Sequence, residues 1–263
     1  MRAVLDTQGL SRSFNGFHAV RDVNLSVAEG SIHALIGPNG AGKTTCFNLL
    51  TRFIDPTAGR IRYQGEDITR RKADAVARDG LVRSFQISAV FGQLSVFENV
   101  RLAVQRERGH SLDWWRSERV LSRFDERTHE LLAEVGLSEW AATPAAELPY
   151  GRKRALELAT TLALNPRVLL LDEPMAGMGA EDIAQAAQLI RRAARGRTVL
   201  MVEHNLSVVA DLCDRITVLA RGEVLAEGDY AEVSRNPRVV EAYLGQGTHT
   251  QTHAAVSTEA GHG

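Results

Sequence analysis

Residues Gly37-Pro38-Asn39-Gly40-Ala41-Gly42-Lys43-Thr44 follow the pattern of a glycine, any four residues, glycine, lysine, then serine or threonine. They come directly after a short apolar strand, Ile32-His33-Ala34-Leu35-Ile36, and open a helix expected from Lys43 to Leu50. Strand, loop and helix in that order are the context this pattern needs. The glycines let the backbone fold around phosphates so that successive N–H groups point inward, and the helix N-terminus adds its positive dipole end. The chemistry implied is binding of a nucleoside triphosphate. Lys43 reaches the β- and γ-phosphates, Thr44 offers its hydroxyl to Mg²⁺, and Thr45 completes the contacting set.

A second constellation ends another apolar run. Val168-Leu169-Leu170-Leu171 reads as a buried strand, and Asp172-Glu173-Pro174 follows it. A carboxylate there falls at the carboxyl edge of the sheet, where open α/β folds bind ligands. Asp172 is expected to hold Mg²⁺, mainly through water, and Glu173 to polarise the attacking water as general base. An isolated Asp-Glu pair is more often a solvated turn. The apolar strand before it and the complete phosphate loop elsewhere in the chain favour the chemical reading.

These groups need a scaffold, and the periodicities describe one. Val23-Asn24-Leu25-Ser26-Val27 alternates as a half-buried strand does, and a strand-turn-strand unit lies near Gly59–Gly65. From about Val90 to Asn165 the pattern turns helical, as in Thr128–Val135, with Gly136 at the position of a helix C-cap. Strand and helix then alternate again, with a helix from about Ala180 to Ala194 and a strand at Thr198–Val202. This predicts an α/β domain over residues 1–245. It has a parallel-sheet core, an N-terminal antiparallel β portion and a helical subdomain inserted at about 90–165. The tail, 246–263, is rich in Gly, Thr, His and Ala without a hydrophobic period. It reads as a disordered end rather than as a metal site built from His249, His253 and His262.

The motifs together resemble the nucleotide-binding subunit of an ABC transporter, from about Leu5 to Gly245. Gln86, in Arg83-Ser84-Phe85-Gln86, stands 43 residues after Lys43, the place of that family's Q-loop glutamine. The resemblance implies that it senses the γ-phosphate through Mg²⁺ and water. Phe14, 29 residues before Lys43, takes the place of the aromatic that stacks on adenine, with Phe17 the alternative. His204, in Val202-Glu203-His204-Asn205, resembles the switch histidine that contacts the γ-phosphate.

The family's signature, typically Leu-Ser-Gly-Gly-Gln, grips the ATP of the opposite subunit. The corresponding segment is Leu148-Pro149-Tyr150-Gly151-Arg152, with Gly151 standing 21 residues before Asp172. Pro149 brings neither hydroxyl nor N–H to a phosphate, whereas Gly151 and the helix start after it keep the dipole contribution. Gly179, in Ala176-Gly177-Met178-Gly179, stands where the D-loop usually ends in Asp. The chain's own loop, carboxylates and switch residue are intact, and only the parts that serve a partner's ATP depart. This implies a heterodimer with two unequal ATP sites.

Within the family, several segments resemble the ATPases of bacterial branched-chain amino-acid importers. They are Phe14–Val20, Leu81–Gln86, Tyr150-Gly151 with Leu156–Ala159, and above all Arg235–Gly245. That implies membrane permease subunits, a second ATPase subunit and, indirectly, a periplasmic binding protein as partners, at the cytoplasmic face of the inner membrane. The ATPase does not touch the cargo. Phe91–Val96, continuing the Q-loop, is the better docking candidate; Trp114-Trp115 reads as a cap on the helical subdomain's core.

Composition limits the rivals. Lys plus Arg is 31 and Asp plus Glu 32 in 263 residues, a net charge of −1, which argues against a general nucleic-acid binder. Two cysteines do not make a disulfide scaffold. No run approaches the ~20 apolar residues of a membrane span, and Asp6 interrupts any apolar core of a secretion signal. A soluble cytosolic chain that meets a membrane through partners is expected. A soluble ABC ATPase of translation or repair, a small-molecule kinase and the ATPase of another transporter, such as a lipid exporter, are the weaker readings.

Overall fold

In the computed structural model, which describes residues 2–84, 90–107 and 124–244, the chain opens with the long strand β1 (Ala3–Phe14). The Asn15-Gly16 turn, with φ of 48° and 86°, folds it back into β2 (Phe17–Val23). Two consecutive left-handed residues match the twist of a tight hairpin, and Asn-Gly is the pair that adopts them most easily. After β2 comes β3 (Ser26–Ala28). The Val23–Val27 run therefore does not form one strand. Its alternation of buried and exposed residues holds, but Asp22 takes a left-handed φ of 46° and Asn24 accepts a hydrogen bond from the Gly9 N–H through Oδ1 at 2.9 Å. The chain thus leaves one stretch of β1 and rejoins it at another.

Strand β4 (Ile32–Ile36) leads through the glycine loop into α1 (Lys43–Leu50). Strands β5 (Ala58–Tyr63) and β6 (Glu66–Asp67) complete the antiparallel sheet, whose order is β2-β1-β5-β6 with β3 also on β1. Helix α2 (Ala73–Arg78) and strand β7 (Leu81–Ser84) follow. Between β7 and β8 (Val168–Asp172) the described residues form the helices α3 (Val96–Glu107), α4 (Asp125–Glu134) and α5 (Tyr150–Leu162). Helix α4 stops where Gly136 turns left-handed at φ 72°. Then come α6 (Ala180–Ala193), β9 (Thr198–Val202), α7 (Leu206–Leu212), β10 (Arg215–Ala220), β11 (Glu223–Gly228), α8 (Tyr230–Ser234) and α9 (Pro237–Leu244).

The second sheet has the order β11-β10-β4-β9-β8-β7, with every pair parallel except β10–β11. Its central strands β8 and β9 are buried and largely apolar on both faces because both are covered. Val168 and Leu170 pack with α1 and the antiparallel sheet, through Phe47, Leu50 and Ile61. Leu169 and Leu171 face the opposite way, into a core shared with Val100, Leu132, Leu156 and Ile190 of the helices. The strand order matters for function. It sets the carboxyl ends of β4, β9 and β8 side by side, with Leu35 and Asp172 both paired to Val202. No helix among the described residues is long and apolar enough to cross a membrane.

Candidate nucleotide site

Three adjacent strand ends deliver three groups. Strand β4 runs into the loop Gly37–Gly42, β8 ends at Asp172 with Glu173 next, and β9 ends just before Glu203-His204. Two of the loop's glycines are required by contact as well as by backbone angle. A Cβ on Gly37 (φ 149°) would lie 2.1 Å from the Leu219 carbonyl oxygen, and one on Gly42 (φ 100°) 2.4 Å from that of Ala19. The loop is thus pressed between β10 and β2. Gly40, with φ 77°, has open space where its Cβ would be; it serves conformation only.

Lys43 is buried, and its ammonium donates to the carbonyls of Gly37 at 2.7 Å and Pro38 at 3.1 Å. Burial lowers its pKa, while Glu173 first and Asp172 second pull the other way. The cation therefore sits in the field of both carboxylates. Thr44 is exposed and Thr45 half-buried at the start of α1, which has Gly42 as its N-cap and no side-chain cap. A nucleotide fits this donor set: a lysine among carbonyls and backbone N–H groups at a helix start, with an exposed Thr44 hydroxyl and two carboxylates in range. The chemistry of the last three also suits a hard divalent cation, which takes oxygen ligands.

Asp172 is tied down. Its Oδ2 accepts from Arg83 Nη2, and Arg83 Nη1 donates to Asn48 Oδ1 of α1 at 2.6 Å. The arginine thereby links β7, β8 and α1. Arg83 is not among the residues the sequence singles out, because only the pairing of β7 with β8 brings it to Asp172. Glu173 has a left-handed φ of 47°, and its N–H donates to the Val202 carbonyl at 3.0 Å. His204 is exposed at the start of the turn after β9. Its neighbour Glu203, also missed, is buried completely.

The two aromatic candidates separate. Phe14 and Phe17 face each other across the hairpin. The Arg12 guanidinium lies 4.5 Å from the centre of the Phe14 ring. Phe17, 68% exposed, instead lines a surface cavity of about 540 Å³ with His18, Arg21, Gly40 and Arg221. The cavity reaches the phosphate loop through Gly40, so it is Phe17 that shares a wall with the loop.

The Leu148–Gly151 segment stands at the head of α5. Leu148 is buried, Pro149 is the exposed N-cap, and Tyr150 donates its hydroxyl to the Ala176 carbonyl at 3.0 Å while accepting from Arg154. The segment is thereby fastened to the loop after Glu173. A Cβ on Gly151 would meet only Asp182 Oδ1, at an ordinary 3.6 Å. Gly179 is the N-cap of α6 without a side-chain bond. Gln86, Trp114-Trp115 and the three tail histidines lie outside the described residues.

Comparison with known proteins adds to this geometry. Residues 20–176 match the family described as ABC transporter, and 223–249 match branched-chain amino acid ATP-binding cassette transporter. The high-affinity branched-chain amino acid transport ATP-binding protein BraF of Pseudomonas aeruginosa is 38% identical over 255 residues, covering 93% of this chain and 99% of the relative. The lipopolysaccharide export system ATP-binding protein LptB of Acidithiobacillus ferridurans is 37% identical over 246 residues, covering 93% and 98%. Among solved structures, the ADP conformation of MJ1267, an ATP-binding cassette of an ABC transporter, superimposes with a TM-score of 0.81 at 28% identity, covering 93% of this chain and all of that one. With a phosphate loop beside two strand-end carboxylates, this fold and these matches, the chain belongs to the ABC transporter family, as one of its ATP-binding, ATP-hydrolysing subunits.

Proposed function

We propose that this chain is the motor of an importer for branched-chain amino acids or related small solutes, acting at the cytoplasmic face of the inner membrane. The match of its C-terminal segment, 223–249, to the branched-chain amino acid branch carries this reading. Lys43 and the loop residues Gly37, Pro38, Asn39, Gly40, Ala41, Gly42, Thr44 and Thr45 bind the triphosphate of ATP. Thr44, Asp172 and Gln86 hold Mg²⁺, which when bound neutralises phosphate charge. Glu173 takes a proton from water as that water attacks the γ-phosphorus. The bond to the β,γ-bridging oxygen breaks, leaving ADP and inorganic phosphate. His204 contacts the γ-phosphate, and its position two residues beyond the end of β9, the strand beside β8, supports that role.

For the adenine, the cavity beside Gly40 favours Phe17 over Phe14 as the stacking wall. The signature segment Leu148–Gly151 serves the ATP of a second, non-identical ATPase subunit. Gly151 supports this: it stands in the first turn of a helix with room for a side chain, yet nothing in its own chain demands a glycine there. Permease subunits dock on the loop at Phe91, which is 57% exposed and is held in shape by Asn99. That asparagine accepts from Phe91 N at 2.8 Å and donates to the Phe91 and Ser95 carbonyls at 3.0 and 2.9 Å. A periplasmic binding protein supplies the cargo, and nucleic acid is not a partner.

Similarity to a lipopolysaccharide export ATPase supports a second reading, the motor of a lipid exporter. A pull-down from detergent-solubilised native membranes separates the two. Two distinct permeases and a second ATPase are expected. Recovery with a lipid-export permease and a second copy of this chain would replace the importer reading, and recovery of soluble partners alone would end the transport reading.

A further inference from the structure

Glu203 carries a carboxylate with no exposure to solvent, directly after the last residue of β9. A charge there must be met by fixed donors, and three backbone N–H groups meet it. Oε1 accepts from Met175 at 3.2 Å, and Oε2 accepts from His204 at 3.0 Å and Asn205 at 3.2 Å. Two of these donors belong to the turn that carries His204. The third belongs to the loop two residues beyond Glu173. Glu173 itself holds a left-handed φ of 47° and donates its N–H to the carbonyl of Val202, the residue before Glu203. A left-handed non-glycine residue is strained and persists where its surroundings over-determine it.

We propose that Glu203 is a positioning residue that binds the Glu173 loop and the His204 turn into one unit, so that base and γ-phosphate contact keep a fixed relation during hydrolysis. This rests on the roles given above to Glu173 and His204. The chemistry requires a carboxylate of this length. The amide of Glu203→Gln has one oxygen and one NH₂, so whichever way it turns, one of the two loops faces a donor instead of an acceptor. Glu203→Asp keeps both oxygens but draws them back by one methylene, out of reach of one loop.

The test is ATP hydrolysis by the full chain in the complex it forms in membranes, with MgATP as the probe, alongside nucleotide affinity and thermal melting. E203Q is expected to lower kcat roughly tenfold or more while the affinity for MgATP stays within about threefold, because the phosphate loop is untouched. E203D is expected to fold and to lose kcat in the same sense. A lower melting temperature with wild-type kcat per folded molecule would mean a structural role alone and would overturn the proposal. If E203Q does not fold, E203D decides: wild-type kcat in that variant overturns it. The underlying reading fails separately, when Glu173→Gln and His204→Ala themselves retain wild-type turnover.

Discussion

Arg83 and Asp172 form an ion pair across the β7–β8 edge, with side chains only 10% and 9% exposed. The pair sets the height and angle at which Asp172 enters the nucleotide site, because the same guanidinium is fixed to Asn48 on α1. Removing one partner of a buried pair leaves the other charge uncompensated. Arg83→Met is expected to lower stability by about 3 kcal/mol. Lysine cannot make two divergent bonds with one planar fork, so Arg83→Lys recovers only part of this. Urea denaturation of the two variants checks the order, and equal stability of R83M and wild type would remove Arg83 from this role.

The phosphate loop's glycines are expected to differ in tolerance. Gly42→Ala forces a Cβ to within 2.4 Å of the Ala19 carbonyl oxygen, so backbone must move. A loss of about 3 kcal/mol or more is expected, with loss of MgATP binding. Gly40→Ala meets open space and pays only for its left-handed angle, about 1 kcal/mol. Parallel denaturation and nucleotide titration of the two variants measure the contrast.

Gly151 has the opposite signature. Its backbone is helical and has room for a methyl group, so Gly151→Ala is expected to stabilise the isolated chain by about 0.5–1 kcal/mol. In the assembled complex the same methyl group is expected to lower ATP turnover, at the site formed with the partner subunit. A variant that is both more stable and fully active would show that nothing approaches this surface.

Stability should depend on pH through His33. It is buried in β4 with Nε2 2.8 Å from Thr217 Oγ1. Burial, above the opposing pull of Glu227 and with a smaller push from Arg215, lowers its pKa from 6.5 to about 4. Between those values the unfolded chain carries the proton and the folded chain does not. Stability therefore rises with pH across this window and is lost on acidification through it, by about 3 kcal/mol in all. Below about 4 both forms are protonated and the contribution is level. The difference in denaturation free energy between wild type and His33→Gln, followed from pH 7 to 4, isolates the effect.

Much of the site was legible because its logic is local. A strand, a glycine loop and a helix start are consecutive residues, so Gly37–Thr44 declared themselves by order alone, and α1 and β9 have the bounds that their periodicity suggested. The four apolar residues before Asp172 likewise marked a buried strand. Non-local consequences were not legible. That Gly37 and Gly42 are pressed against β10 and β2, that Phe17 rather than Phe14 shares a cavity with Gly40, and that Val23–Val27 breaks around Asn24 all depend on which strand lies beside which. Arg83 and Glu203 were overlooked for the same reason. A charged residue beside an apolar run carries no partner's name in one dimension. Only the parallel register brings Arg83 to Asp172, and only the adjacency of β8 and β9 lets one buried carboxylate hold the backbone on both sides of the proposed reaction.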